Sequence, residues 1–121
     1  MEKVTGIGGL FFAAKDVAGL AAWYRDNLGI DPVPTDYDTP PWTTEAGVTV
    51  FTPFPSVEDP VSGTSLGFRV NFRVRDLDAM IAQLEAAGIA VKRADEDYPN
   101  GRFAWLTDPE GNSIELWEPK P

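Results

Sequence analysis

The chain contains no histidine and no cysteine among its 121 residues. Without histidine it lacks the most common metal ligand and the usual general base near neutral pH. Without cysteine it can form neither a disulfide framework nor a thiolate. Any bound metal would depend on carboxylate and carbonyl oxygens, which suit magnesium or calcium better than zinc or iron. Chemistry based on imidazole or thiolate is therefore excluded.

Basic residues and long apolar runs are also scarce. Ten Lys and Arg stand against 19 Asp and Glu, giving a net charge of −9, which argues against nucleic acid or an anionic membrane as a partner. No apolar run approaches the ~20 residues of a membrane span, and the first residues do not form a signal-peptide pattern. With 43% apolar residues, the sequence predicts one domain, residues 1–121, with one core. The lack of a membrane span, a signal-peptide pattern and cysteine favours a cytoplasmic location.

The chain can be divided into two similar halves. Residues 4–14 alternate as in a strand, Asp16 is placed to cap a helix that Gly29 would end, and residues 47–54 alternate again. The stretch between, residues 30–46, is rich in proline and predicts loops and short edge strands.

The second half repeats this order. Residues 66–74 predict a strand, Asp76 caps a second helix ending at Gly88, and strands follow at residues 89–92, 102–107 and 113–118. We therefore expect an α+β fold built from two βαβββ modules, residues 1–55 and 66–121, joined by a linker at residues 56–65. The sheet would curve around a cavity, with the helices outside.

The motif DPEGNSIEL at residues 108–116 is the most informative stretch. Its first four residues predict a tight hairpin turn, because proline presets φ and glycine tolerates positive φ. In the strand that follows, Glu115 shares a face with Trp117. A carboxylate on a buried face needs a cation, a metal or a ligand beside it.

Four motifs together resemble the vicinal oxygen chelate superfamily, which includes glyoxalase I, extradiol dioxygenases and the bleomycin-binding and fosfomycin-resistance proteins. They are IGGLFFAAKD at residues 7–16, WYRDNLG at 23–29, NFRVRDLD at 71–78 and LTDPEGNSIEL at 106–116. The resemblance covers nearly the whole chain. It implies the fold, whereas the activity depends on residues that differ among members.

The resemblance also implies where a metal would be held. Members that use a metal take ligands from the first and last strands of each module, and the matching positions here are Gly9, Thr49, Arg69 and Glu115. Glycine has no side chain and arginine is a permanent cation; only Glu115 matches the expected ligand type. We therefore expect no metal site of the family's kind and no cofactor.

Strand alternation predicts which side chains line the cavity. The first module would contribute aromatic and hydroxyl side chains, and the second two guanidinium groups, one carboxylate and further aromatics. The predicted lining residues are Phe11, Trp42, Thr49, Phe51, Arg69, Asn71, Arg73, Phe103, Trp105, Glu115 and Trp117.

We expect Arg69 to take the place of the metal and to pair with Glu115. This pair could be a structural scaffold or part of a ligand site, and the sequence leaves both open. The favoured function is metal-free binding of a small, partly aromatic molecule, for sequestration or antibiotic resistance; the acidic chain suits a cationic ligand and the arginines an anionic one. The alternative is a lyase or isomerase of the glyoxalase or dioxygenase type, metal-independent or with an atypical metal site, in which Glu115 would be the catalytic residue. The resemblance also implies a homodimer.

Overall fold

The structure, a computed structural model, describes residues 1–55, 57–63 and 65–121. It contains two helices and six strands. In chain order these are α1 (Val17–Leu28), β1 (Val57–Glu58), β2 (Ser65–Leu66), β3 (Val70–Arg73), α2 (Leu77–Ala86), β4 (Lys92–Arg93), β5 (Gly101–Thr107) and β6 (Ser113–Pro119). No helix in these residues is long and apolar enough to cross a membrane.

The second module forms a mixed sheet of four strands in the order β3-β6-β5-β4. β3 runs parallel to β6, because α2 provides the crossover between β3 and the strands that follow. β6 is antiparallel to β5, and β5 to β4. The predicted α+β class is confirmed, and so is the order strand, helix, three strands in this module. β1 and β2 pair with each other separately from this sheet. They lie in the predicted linker except for Leu66, which was expected to begin the strand at residues 66–74; residues 56 and 64 of the linker lie outside the described part.

Both helices begin where the sequence predicts, and α1 also ends there; α2 ends at Ala86 with Ala87 as its cap, just before the predicted stop at Gly88. The Asp16 carboxylate accepts a hydrogen bond from the Gly19 amide at the start of α1, and Asp76 accepts one from the Ala79 amide at the start of α2. Gly29, in the left-handed region at φ 69°, ends the first helix. Aspartate caps and glycine stops act through nearby backbone groups, so the sequence alone identifies them.

The core lies between the two helices and one face of the sheet, here called the helix face. The residues that fill it come from both helices and from alternate positions of β5 and β6. They are Leu20, Tyr24, Leu77, Ile81, Leu84, Ala104, Leu106, Ile114 and Leu116. Burial of these side chains holds α1, from the first module, against the sheet of the second.

The hairpin between β5 and β6 joins the two modules. Its turn has the predicted form: the Gly111 amide donates to the Asp108 carbonyl at 3.0 Å, and Gly111 has φ 86°. The Glu110 carboxylate accepts from the backbone amides of Lys15 and Asp16 at 2.6 and 3.0 Å, just before α1. Sequence reasoning missed this contact because the partners are 94 and 95 residues apart.

The prediction of strands in the first module is wrong. The structure assigns no strand to residues 4–14 or 47–54, and side chains there are exposed, such as Phe11 at 95% and Phe51 at 88%. Alternation makes a segment suited to a sheet, but a strand also needs a neighbour to receive its hydrogen bonds. Within the described residues these segments have no such neighbour.

Candidate functional site

The sheet face opposite the helices, here called the outer face, carries the polar and aromatic side chains of β3 to β6. Residues paired across neighbouring strands point to the same side of a sheet. One row crosses all four strands and consists of Asn71, Glu115, Trp105 and Lys92. The next row consists of Arg73, Trp117 and Phe103. The alternation predicted for these strands is therefore present.

Glu115 lies near the centre of the outer face and accepts three hydrogen bonds. Trp105 Nε1 donates to Oε2 at 2.7 Å, and Asn71 Nδ2 donates to Oε1 at 2.8 Å. Arg69 contacts Oε2 through one guanidinium nitrogen at 3.3 Å, with its side chain 21% exposed and that of Glu115 17% exposed. The predicted ion pair between Arg69 and Glu115 is confirmed. The Arg69 Nε atom is buried and has no hydrogen-bond partner among the described residues.

This arrangement does not fit a divalent metal. A metal at Glu115 would have to displace a guanidinium that already contacts the carboxylate, and it would then lie beside a like charge. Gly9 offers no donor side chain, and within residues 1–55, 57–63 and 65–121 no three acidic side chains converge to form a metal site. The donor set therefore suits hydrogen bonding of a carboxylate and not coordination of an ion.

Aromatic rings occupy the outer face beside Glu115. Phe103 and Trp117 stack with their planes 7° apart and ring centroids separated by 6.2 Å, and Tyr98 meets Phe103 edge to face. The Trp117 indole donates to the Asn100 carbonyl at 2.9 Å and is only 7% exposed. Phe103 and Trp105 are half-buried. The rings thus form a fixed floor, with Phe103 and Trp105 open to contact.

The first-module residues predicted to line the cavity do not join this floor. Phe11 and Phe51 are almost fully exposed, Thr49 is exposed, and Trp42 is 41% exposed. The first module does reach the edge of the outer face, because Arg73 donates to the Glu45 carbonyl at 3.0 Å. The second-module residues of the predicted lining share one sheet face, whereas the first-module strands that would place the others are not formed.

Two cavities lie elsewhere, both beside α1. One is bounded by Lys15, Gly19, Trp23 and Glu110, where the helix begins against the hairpin turn. The other, of about 80 Å³, lies among apolar side chains that include Leu10, Phe12, Tyr24, Phe68 and Val70. Neither of these two cavities includes Glu115.

The linker covers one end of the outer face. The sequence did not predict this contact. Asp59 is buried and accepts hydrogen bonds from the Ser62 amide and the Ser113 hydroxyl, both at 2.9 Å. Lys92 Nζ donates to the Pro60 carbonyl at 3.3 Å. Burial by itself would raise the pKa of Asp59, but these hydrogen bonds outweigh burial and lower it. An aspartate before a Ser-Gly turn is common in exposed linkers, so the pattern gave no sign of this anchor.

Comparison with known proteins identifies the family. A family model described as a glyoxalase-like domain matches residues 9–117. A protein named "Putative glyoxylase CFP32" from Mycobacterium bovis is 39% identical over 66 residues, which cover 54% of this chain. The chain spans about a quarter of the length of that curated relative.

Solved structures share the fold. TnmS3, an antibiotic binding protein from Streptomyces sp. CB03234, superposes with a TM-score of 0.63 at 22% identity, covering 99% of this chain and 100% of that one. A lactoylglutathione lyase from Agrobacterium tumefaciens superposes with a TM-score of 0.60 at 23% identity, covering 97% and 96%. With a family model that matches nearly its whole length, and the mixed sheet and two helices expected of that family, the chain belongs to the glyoxalase-like domain family.

Proposed function

We propose that this glyoxalase-like protein binds a small, partly aromatic molecule on its outer face without a metal. The observation that carries the proposal is the saturation of Glu115 by Arg69, Asn71 and Trp105. A carboxylate that accepts three hydrogen bonds has little capacity left to take a proton from a substrate or to hold an ion. The same bonds fix the side chains around it, which gives a ligand a rigid surface.

The aromatic floor supplies the binding surface in this proposal. Phe103 and Trp105 are only half-buried, and Trp117, beside Phe103 on the same face, is held by stacking and by its bond to Asn100. Flat apolar molecules stack on such rings and gain about 0.5–1.5 kcal/mol per ring contact beyond the burial of area. The fold is compatible with this use, since TnmS3 is an antibiotic binding protein.

A second copy of the chain completes the binding surface in our proposal. The single chain leaves the predicted cavity residues Phe11 and Phe51 in solvent, together with other apolar side chains of the first module. Apolar surface of this extent marks an interaction site. Burial against the same segments of a partner chain would place aromatic side chains near the open outer face and turn it into a cavity.

Metal content and ligand binding of the purified protein test the proposal together. We expect substoichiometric metal by elemental analysis and no binding of zinc, nickel, manganese or iron by calorimetry. A thermal-shift screen against aromatic metabolites and antibiotics should give at least one compound that raises the melting temperature. Stoichiometric metal bound at Glu115 would overturn the proposal.

Glu115→Gln separates binding from catalysis. The substitution removes the charge that holds Arg69, and we expect weaker ligand binding because the floor around Trp105 loosens. Glu85→Gln, on an exposed position of α2, is the matched control and should bind normally. If the screen instead yields a compound that the wild type converts, and E115Q binds it with unchanged affinity but no longer converts it, the protein is an enzyme and the binding proposal is wrong.

A further inference from the structure

Two cations of the outer face, Arg73 and Lys92, pair with no carboxylate in the part of the chain that the structure describes. Arg73 donates to the Glu45 carbonyl and Lys92 to the Pro60 carbonyl. Both partners are neutral, and the ion pairs of the described residues include neither cation. By contrast Arg25, Arg69, Arg75, Arg93 and Arg102 each contact a carboxylate. Lys3, Lys15 and Lys120 also lack an ion pair among the described residues, but none of them lies on a strand of the sheet. In a chain of net charge −9, two such cations on one sheet face are a specific feature.

The two cations lie on opposite edges of the aromatic floor. Arg73 is on β3, paired with Trp117, and Lys92 is on β4, paired with Trp105. β3 and β4 are the two edge strands of the four-stranded sheet. Three strand spacings of ~4.8 Å, roughly 14 Å in all, therefore separate their backbones. A planar molecule lying on Phe103 and Trp105 would therefore reach a positive charge at either end.

The carboxylates near the floor do not cancel these charges. Glu115 is paired with Arg69. Asp59, at the linker end of the face, is buried and directed at Ser62 and Ser113. Glu45, beside Arg73, is paired with Arg75. Arg69, Arg73, Arg75 and Lys92 together with Glu45, Asp59 and Glu115 therefore carry a net charge of +1, opposite in sign to the net charge of the protein.

We propose that the outer face is selective for planar aromatic acids, molecules with a fused or extended ring system and a carboxylate or similar anion at its edge. This inference depends on the proposed function, because it names the class of ligand for the same surface. The rings of Phe103 and Trp105 hold the flat part. Arg73, whose guanidinium can form paired hydrogen bonds with a carboxylate, and Lys92 hold the anion.

Three probes with the same ring test the inference: anthracene carboxylate, the corresponding carboxamide and the corresponding methylammonium salt, all substituted at the same position. Their affinities for the protein of 121 residues can be measured from anthracene fluorescence anisotropy. We expect the carboxylate to bind about tenfold more tightly than the carboxamide, and the ammonium to bind least. The preference for the carboxylate should shrink as salt is added, since the cations are close to solvent.

A double variant, R73Q/K92Q, assigns the preference to these cations. Its affinity for the carboxylate should fall to that of the carboxamide, while its affinity for the carboxamide stays unchanged. The control K3Q/R25Q removes two positive charges elsewhere and should leave all three affinities as in the wild type. A control that lowers the preference equally would show that overall charge is responsible, and would overturn the proposal.

The remaining outcomes distinguish the two proposals. If carboxylate and carboxamide bind equally, binding of aromatic molecules stands and selectivity for acids is wrong. If the ammonium binds most tightly, the net charge of the whole chain governs the site and the inference is also wrong. If none of the three binds to the wild type, the inference and the aromatic floor of the proposed function fail together.

Discussion

One buried hydrogen bond joins the first module to the hairpin of the second. Tyr24 Oη, on α1, donates to Asp108 Oδ2 at 2.7 Å, and the two residues are 8% and 4% exposed. The same carboxylate accepts from the amides of Glu110 and Asn112 and from the Asn112 side chain. Burial, and secondly the bond to Asp108, raise the pKa of Tyr24 well above its ordinary value of 10.0.

Tyr24→Phe should therefore destabilise the protein. The substitution keeps the ring in the core but leaves Asp108 without one of its donors, and hydrogen bonds to charged groups contribute about 1.5–3 kcal/mol. The free energy of unfolding, measured by urea denaturation at neutral pH, should fall by about that amount. Tyr37→Phe is the control: Tyr37 is fully exposed, and its loss of a hydroxyl should change stability by less than about 0.5 kcal/mol.

The same variant predicts a pH dependence. Because folding raises the pKa of Tyr24, its contribution is complete below the unfolded value of about 10 and is lost as pH rises beyond it. The difference in free energy of unfolding between wild type and Y24F should begin to shrink within about one pH unit above 10. A gap that stays constant over this range would contradict the buried bond.

At the scale of elements, the β5–β6 hairpin organises the outer face and its ends are tightly constrained. Gly101 opens β5 with φ 140°, a conformation that side chains rarely adopt. A Cβ atom there would lie 2.3 Å from the Glu118 carbonyl oxygen and 2.6 Å from Trp117 Nε1. Glycine at this position thus lets the two strands approach and keeps Trp117 in place within the aromatic floor.

Gly101→Ala should cost about 2 kcal/mol or more, because positive φ and a clash with backbone act together. It should also weaken binding of aromatic ligands by displacing Trp117. Thermal denaturation and the fluorescence assay measure the two effects. Gly8→Ala, where a Cβ meets nothing within 4 Å, is the matched control. Normal stability in G101A would show that the strands separate without cost and that this contact is not a constraint.

At the scale of the whole molecule, the sequence predicts those features that neighbouring residues determine, such as helix caps, tight turns and the faces of a strand. The caps at Asp16 and Asp76, the turn at residues 108–111 and the two faces of β6 follow from residue type and spacing, and the structure has all of them. The superfamily resemblance added the expectation that Arg69 and Glu115 converge, which their 3.3 Å contact bears out.

The parts that sequence reasoning missed depend on contacts between distant segments. Glu110 contacts Lys15 and Asp16, which lie 95 and 94 positions earlier in the chain, and Asp59 contacts Ser113, 54 positions later. Nothing in local periodicity specifies such partners. The prediction of strands in the first module failed for the same reason. Alternation in residues 4–14 and 47–54 indicates how a strand would present its side chains, but not which strand would lie beside it.

These unpartnered segments give the whole molecule a large exposed apolar surface. Apolar and aromatic side chains of the first module at least 60% exposed are Met1, Val4, Ile7, Phe11, Val17, Val33, Tyr37, Val48, Val50 and Phe51, all but Val17 outside the helix. β3 is an edge strand of the sheet and, among the described residues, is paired only with β6, so its other side offers hydrogen bonds to an added strand. Alternating segments that lack a partner and an open sheet edge are complementary, and two copies of the chain would satisfy both.

We therefore expect a homodimer, with twice the mass of one chain in size-exclusion chromatography coupled to light scattering. Phe11→Ser and Phe51→Ser together should shift it toward monomer, because each buried phenylalanine contributes about 1.5–3 kcal/mol and a two-fold interface contains every residue twice. Val17→Ser, at an exposed position of α1, is the control and should stay dimeric. A wild type that is monomeric at all concentrations would rule out the dimer. A double variant as dimeric as the wild type would place the interface away from these segments, and the outer face would then have to bind its ligand as the open surface of a single chain.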